Sequence, residues 1–157
     1  MNIYNFYNDP GKLMGYERAI NIVPELIYDF VLNNNEITKL TPEQEKNLSK
    51  SAEYSYLYAT RVLRGRFKLG ELAIAKDCYY AAECAVVILK GPFPAAEKEI
   101  ATSAEESTKY AKYALKGRFE EGEPVIEEDP YYKNDYETFL DKNGHYDQYR
   151  KNTRDDY

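Results

Sequence analysis

An all-α fold, a solenoid-like stack of about four short-helix/long-helix hairpins, is predicted by three observations on this 157-residue chain. Tyr58 to Glu71 reads YATRVLRGRFKLGE, Cys84 to Glu97 reads CAVVILKGPFPAAE and Tyr110 to Glu123 reads YAKYALKGRFEEGE, each starting 26 residues after the last. A fixed period of this size is the mark of stacked supersecondary units. Ser51, Asp77, Ser103 and Asp129 recur at the same interval, and all four are residue types that cap helix N-termini. Apolar residues in the segments that follow are spaced by three and four, as in Ala59, Val62, Leu63, then Ala85, Ile88, Leu89, then Ala111, Ala114, Leu115. That spacing is helical.

Taken in order, the first twenty residues are rich in Tyr and Asn, turn at Asp9-Pro10-Gly11 and lead into a helix near Tyr16 to Ile20. Their apolar members Ile3, Tyr4, Phe6 and Tyr7 are expected to cover the outer face of the first repeat. Pro24 to Asn33 reads as a helix in a degenerate first repeat, with Val31-Leu32 matching Val62-Leu63 after an insertion of about five residues and Asn34 falling where later repeats have Gly. Thr41 as N-cap, Pro42 at N1 and Gln44 at N3 start a short helix that runs to about Lys50. Long helices are expected over 52–64, 78–90, 104–116 and 130–142.

The first three of these should end at Gly65, Gly91 and Gly117 as left-handed caps, with Arg64, Lys90 and Lys116 meeting the negative end of the helix dipole. The fourth ends near Asn143-Gly144. A shorter helix then precedes each next cap and carries fixed anchors: Phe67, Phe93 and Phe119; Leu48, Ile74, Ile100 and Ile126; Glu45, Glu71, Glu97 and Glu123. The small residues Ser55, Ala81 and Ser107 would let neighbouring helices approach closely. From His145 to Tyr157 the polar tail is expected to fray or to pack loosely. Residues 1–157 thus read as one α-helical repeat domain, with a cap and degenerate repeat over 1–41, repeats over 42–142 and a tail over 143–157.

Composition narrows the class. The chain has seventeen Tyr, six Phe and no Trp, so tyrosine replaces aliphatic core in a thin structure whose interior is never far from water. Residues 1–78 balance ten acids with ten bases, whereas 79–157 hold seventeen acids and eleven bases and therefore the whole formal charge of −6. Direct nucleic-acid binding or an anionic membrane surface would need the opposite sign. A basic partner, or mimicry of nucleic acid, stays open. Cys78 and Cys84 lie six apart in one helix and project to different sides, so no disulfide is expected between them and a reducing cytoplasm is the simplest compartment. The N-terminus MNIYNFYNDPGK has no basic region followed by an apolar run, and no segment approaches a membrane span.

The unit Y-A-x-x-V-L-K-G-R-F-x-x-G-E, followed by Ile and by D-P-x-Y, resembles tandem helical repeats of uncharacterised proteins of phages and large DNA viruses, and it covers about residues 42–142. The second copy departs from it with Cys84 for Tyr, Pro92 for Arg and Ala95-Ala96 before Glu97. The resemblance implies a helical array and a viral source, and it brings no catalytic residue with it.

Four features carry candidate chemistry. The Glu column could hold cations or a basic partner, although a carboxylate in the first turn of a helix is already favoured by the dipole. Arg66 and Arg118, with Arg64, Lys90 and Lys116, could form a basic edge for phosphate, but Pro92 interrupts it and dipole compensation explains the rest. Tyr54, Tyr80 and Tyr132 form a column beside Tyr56, Tyr58, Tyr79 and Tyr131; most are expected in the core, and some at a surface that binds partners. The most acidic run contains Glu120, Glu121, Glu127 and Glu128, read either as solvated or as a patch for a basic partner.

Catalysis finds little support, because the single histidine, His145, lies in the polar tail and there is no Walker loop, dinucleotide fingerprint or zinc spacing. The expectation is a non-enzymatic protein-binding module with no cofactor and no metal. Its partner surface is Tyr79, Tyr131, Tyr132, Glu120, Glu121, Glu127 and Glu128, and a phage protein that inhibits or redirects a host protein is the favoured role. An acidic nucleic-acid mimic and a self-assembling component, a homo-oligomer, are the alternatives.

Overall fold

The computed structural model describes residues 18–33 and 40–154, with side chains as far as Arg150. The protein is all-α: every regular element among the described residues is a helix. The chain groups into two compact units, one up to Ala73 and the other from Ile74 onward. Ile3, Tyr4, Phe6, Tyr7, the Asp9-Pro10-Gly11 turn, Tyr16 and Asn34 lie outside the described residues.

In the first unit the helix Pro24–Asn33 packs on Pro42–Leu48 and on Ala52–Leu57. Thr41 and Gln44 close the expected capping box, the Thr41 hydroxyl accepting from the Gln44 N–H and the Gln44 carbonyl oxygen accepting from the Thr41 N–H at 3.0 Å. Two side-chain amides fasten the preceding turn to this helix, Asn47 donating to the Asn21 carbonyl at 2.7 Å and Gln44 to the Ile20 carbonyl at 3.4 Å. Ile27, Tyr28, Val31, Leu40, Leu48, Tyr58 and Phe67 are buried together with Ala59 and Ser55.

In the second unit successive hairpins pack neighbour on neighbour: Cys78–Glu83 lies against Ala104–Lys109, and Ala104–Lys109 against both Glu123–Glu128 and Pro130–Lys142. The four expected caps are in place across the chain, with Ser51, Asp77, Ser103 and Asp129 accepting the N–H groups of Tyr54, Tyr80, Glu106 and, for Asp129, both Tyr131 and Tyr132. The anchor column Leu48, Ile74, Ile100, Ile126 is at most 1% exposed, so these aliphatics are the centre of each hairpin. As far as Arg154 the tail is more regular than its polarity suggests. Tyr146–Arg154 is a helix that packs on Pro130–Lys142, because Tyr149 supplies one buried ring that meets Tyr136 edge-on at 5.6 Å.

The long helices differ from expectation in their second halves. Tyr58–Leu63, Cys84–Leu89 and Tyr110–Leu115 are π-helical, whereas Pro130–Lys142 is α-helical throughout. A wider turn breaks the three-and-four spacing of the apolar stripe. Ala59, Ala85 and Ala111 stay buried, but Val62, Leu63, Ile88, Leu89 and Leu115 reach only partial burial.

The helix ends differ too. The left-handed residue is Arg64, Lys90 or Lys116, with φ of 50°, 52° and 56°, and not the glycine after it. The N–H groups of this residue and of the following Gly converge on one carbonyl, that of Ala59, Ala85 or Ala111. A side chain in the left-handed region costs about 1 kcal/mol that glycine would not incur. Lys116→Gly should therefore stabilise the chain by about 0.5 kcal/mol after the entropic cost of glycine is subtracted, and Lys116→Ala should not. Urea midpoints of the two variants that move together would contradict this.

Candidate functional site

The four glutamates of the regular column are not a free ladder of carboxylates. Tyr136, fully buried, accepts the Phe119 N–H at 2.9 Å on its hydroxyl and donates to Glu123 Oε1 at 2.9 Å. Tyr110 repeats the arrangement, accepting the Phe93 N–H and donating to Glu97 Oε1, both at 2.7 Å. Tyr58 makes a longer version with the Leu40 N–H at 3.3 Å and Glu45 at 3.4 Å. Each tyrosine thus latches the short helix before it by satisfying a buried backbone donor and one carboxylate oxygen. Burial, reinforced by the facing glutamate and opposed by the backbone donor, holds the Tyr110 and Tyr136 hydroxyls well above the ordinary tyrosine range.

Arginine completes one of these latches and holds the remaining glutamate of the column. Arg118 forks onto Glu123 with Nε at 2.9 Å and a terminal nitrogen at 2.7 Å, and Arg66 does the same to Glu71 at 2.8 and 2.9 Å. Bidentate geometry of this kind commits both partners. The basic edge read from sequence therefore loses Arg66 and Arg118 to internal carboxylates. The Glu column serves structure, and the tyrosine partner thirteen residues beyond Glu45, Glu97 and Glu123 is what the sequence reading missed; Glu71 has Cys84 at that offset and is held by Arg66.

Of the tyrosines expected at a surface, two are exposed where long helices of the second unit begin. Tyr131 is 73% exposed and Tyr79 49%, while Tyr132 and Tyr80 are half-buried. The rings pair edge to face within each helix start, Tyr79 with Tyr80 at 5.1 Å and Tyr131 with Tyr132 at 5.0 Å. The helix Ala104–Lys109 serves both pairs: the Glu105 carboxylate acts on the Tyr132 hydroxyl, and one turn later the Lys109 ammonium lies 5.1 Å from the centre of the Tyr79 ring.

Lys109 also ties Glu83 at 3.1 Å and Glu106 at 2.8 Å. Burial pushes the Glu106 carboxyl up despite that contact, while the two carboxylates carry Lys109 above the ordinary lysine range against its own burial. The sequential pair Glu105-Glu106 diverges, one exposed and one buried. Glu105 is a member of this surface that sequence reasoning did not select; the 26-residue interval from Tyr79 to Glu105 to Tyr131 was the available signal.

The acidic residues divide. Glu127 is paired with Lys133 and Glu120 with Arg118 at 3.3 Å. Glu128 is exposed three residues before Tyr131, with no cation of the described residues paired to it. Glu120 and Glu121 precede the helix Glu123–Glu128, Glu127 and Glu128 are its last two residues, Tyr131 and Tyr132 begin the next helix and Tyr79 stands at the start of Cys78–Glu83, so the seven residues chosen from sequence are spread over three helices and the segment before one of them.

His145 packs over Gly117, its Nε2 3.8 Å from where a Cβ would stand. Neither Cys78 nor Cys84 forms a disulfide. Among the described residues no cluster of His, Cys, Asp and Glu has the makings of a metal site, and no helix is long and apolar enough to cross a membrane. Compared with protein-family models, curated proteins and solved structures, the chain matches none of them.

Proposed function

We propose that the chain is a non-enzymatic protein-binding module and that the start of the long helices in the second unit is its contact face. The observation that carries this reading is the exposure of Tyr79 and Tyr131 on helices whose backbone is fixed by Asp77 and Asp129 caps. Tyrosine on a rigid helix presents area at low entropic cost, which is how hot spots are made. The repeat's resemblance to phage and large-virus proteins supports a host protein, such as a component of bacterial defence, as the target, met in the cytoplasm where cysteines stay reduced. Nucleic-acid mimicry is less well supported, because Glu127 is already paired with Lys133 and Glu120 stands beside the Arg118 guanidinium.

The test is capture from bacterial lysate by the tagged full chain and by a Tyr79→Ala/Tyr131→Ala variant, each with and without nuclease. One near-stoichiometric protein that survives nuclease and is lost with the variant is the expected result. A partner retained undiminished by the variant would move the contact face elsewhere on the chain.

A further inference from the structure

Three tyrosines of the second unit are exposed among the described residues: Tyr79, Tyr113 and Tyr131. Two of them already hold a cation. Lys109 lies over Tyr79 at 5.1 Å and Lys112 over Tyr113 at 5.7 Å, and each lysine is at the same time ion-paired, Lys109 to Glu83 and Glu106 and Lys112 to Asp135 at 2.8 Å. The local rule of this surface is a tyrosine ring and carboxylates sharing one positive charge. Tyr131 is the most exposed of the three, and no cation of the described residues lies over it. The nearest in sequence, Lys133, is committed to Glu127. Carboxylates are nevertheless present: Glu128 three residues before Tyr131, and Glu105, whose charge acts on Tyr132, the ring against which Tyr131 stands edge-on.

We propose that Tyr131 receives an arginine side chain of a basic protein partner, its guanidinium on the phenol ring and its N–H groups toward Glu128 and Glu105. This rests on the protein-binding reading above and names the chemistry of the partner. Arginine fits better than lysine because a planar guanidinium stacks on an aromatic ring and still offers donors to two carboxylates, whereas an ammonium is a single strongly hydrated point charge. The sign agrees with the charge of the chain, whose entire formal excess of −6 lies beyond residue 78. That field would draw a basic segment in, and the ring would then select among cations.

The full chain is titrated calorimetrically at low salt with an acetylated peptide of four Gly-Arg repeats and with its Gly-Lys counterpart. Tyr131→Ala leaves the charge unchanged, so general attraction between an acidic chain and a cationic peptide persists in the variant. The ring-specific part should disappear, weakening the arginine peptide by about three- to thirtyfold. Tyr131→Phe, which keeps the ring, should stay within about twofold of the parent, and Tyr113→Ala, whose ring holds Lys112, should not weaken the peptide at all.

The proposal is overturned if the parent does not bind the arginine peptide or if Tyr131→Ala binds like the parent. It is equally overturned if Tyr131→Phe is as weak as Tyr131→Ala, or if the lysine peptide binds as tightly as the arginine one. Should a lysate partner be captured and lost with the tyrosine variant while peptide binding ignores Tyr131, the module reading stands and the arginine assignment fails.

Discussion

Tyr136→Phe is expected to destabilise the chain by about 2–4 kcal/mol, the loss expected when a buried backbone donor and a charged acceptor are deprived of one shared partner. The ring would stay, so packing against Tyr149 is retained and the loss isolates the hydroxyl. Phe119 N–H would be left without the acceptor it has at 2.9 Å, and Glu123, 7% exposed, would keep only its Arg118 fork. Tyr58→Phe should cost less, about 1 kcal/mol, because its two hydrogen bonds are stretched to 3.3 and 3.4 Å. Equal urea midpoints for parent and Tyr136→Phe would show that the latch contributes nothing.

The same hydroxyls set the alkaline limit. Tyr110 and Tyr136 have folded-state pKa values raised above that of a free tyrosine. Above about pH 10 the unfolded chain releases these protons while the folded chain keeps them, so stability is intact below that pH and falls as pH rises. Each such group steepens the fall by up to about 1.4 kcal/mol per pH unit. A stability profile from pH 9 to 11.5 should therefore be shallower in Tyr136→Phe than in the parent.

Gly122→Ala is the second large effect, expected to cost about 2–3 kcal/mol by overpacking. A Cβ at that position would stand 2.5 Å from Phe119 Cδ1 and 2.6 Å from the Ser107 hydroxyl oxygen, and Gly70 meets Phe67 and Ser55 in the same way. Both glycines are required by close approach and not by φ. The middle repeat contains the remedy: Ala96 follows Ala81 by the fifteen residues that separate Gly122 from Ser107 and Gly70 from Ser55, and both alanines are fully buried. A glycine facing a serine and an alanine facing an alanine place the same number of side-chain heavy atoms between the helices.

Ser107→Ala alone loses its hydrogen bond to the Ile100 carbonyl, about 1 kcal/mol. Combined with Gly122→Ala it should cost less than the sum of the two changes by at least about 1 kcal/mol. A strictly additive double variant would refute the compensation.

The repeat was legible because each of its markers acts locally. A cap needs only the side chain and the next turn, which is why Ser51, Asp77, Ser103 and Asp129 could be placed from spacing alone. The buried aliphatic column was legible for the same reason, since Ile74, Ile100 and Ile126 each stand at a fixed offset from a cap. The candidate surface was half legible: Tyr79 and Tyr131 are exposed as the excess of tyrosine suggested, whereas the division of Glu120 and Glu121 from Glu128 required knowing where the helix Glu123–Glu128 begins and ends. Residues after the last repeat were misjudged because one buried ring, Tyr149, outweighs the polarity of its neighbours.

The sequence by itself determined the all-α class, the 26-residue interval, the helix starts and the excess of negative charge, all of which depend on residue type and short-range order. Only the tertiary structure decided what the glutamates are for, which tyrosines are latches and which are exposed, and that Lys116 rather than Gly117 takes the left-handed turn. Those outcomes turn on partners thirteen or more residues away and on how wide the last helical turns are. Tyr110 and Tyr113 lie three residues apart in one segment, yet one is sealed on Glu97 and the other faces solvent. Residue type cannot distinguish them; packing can.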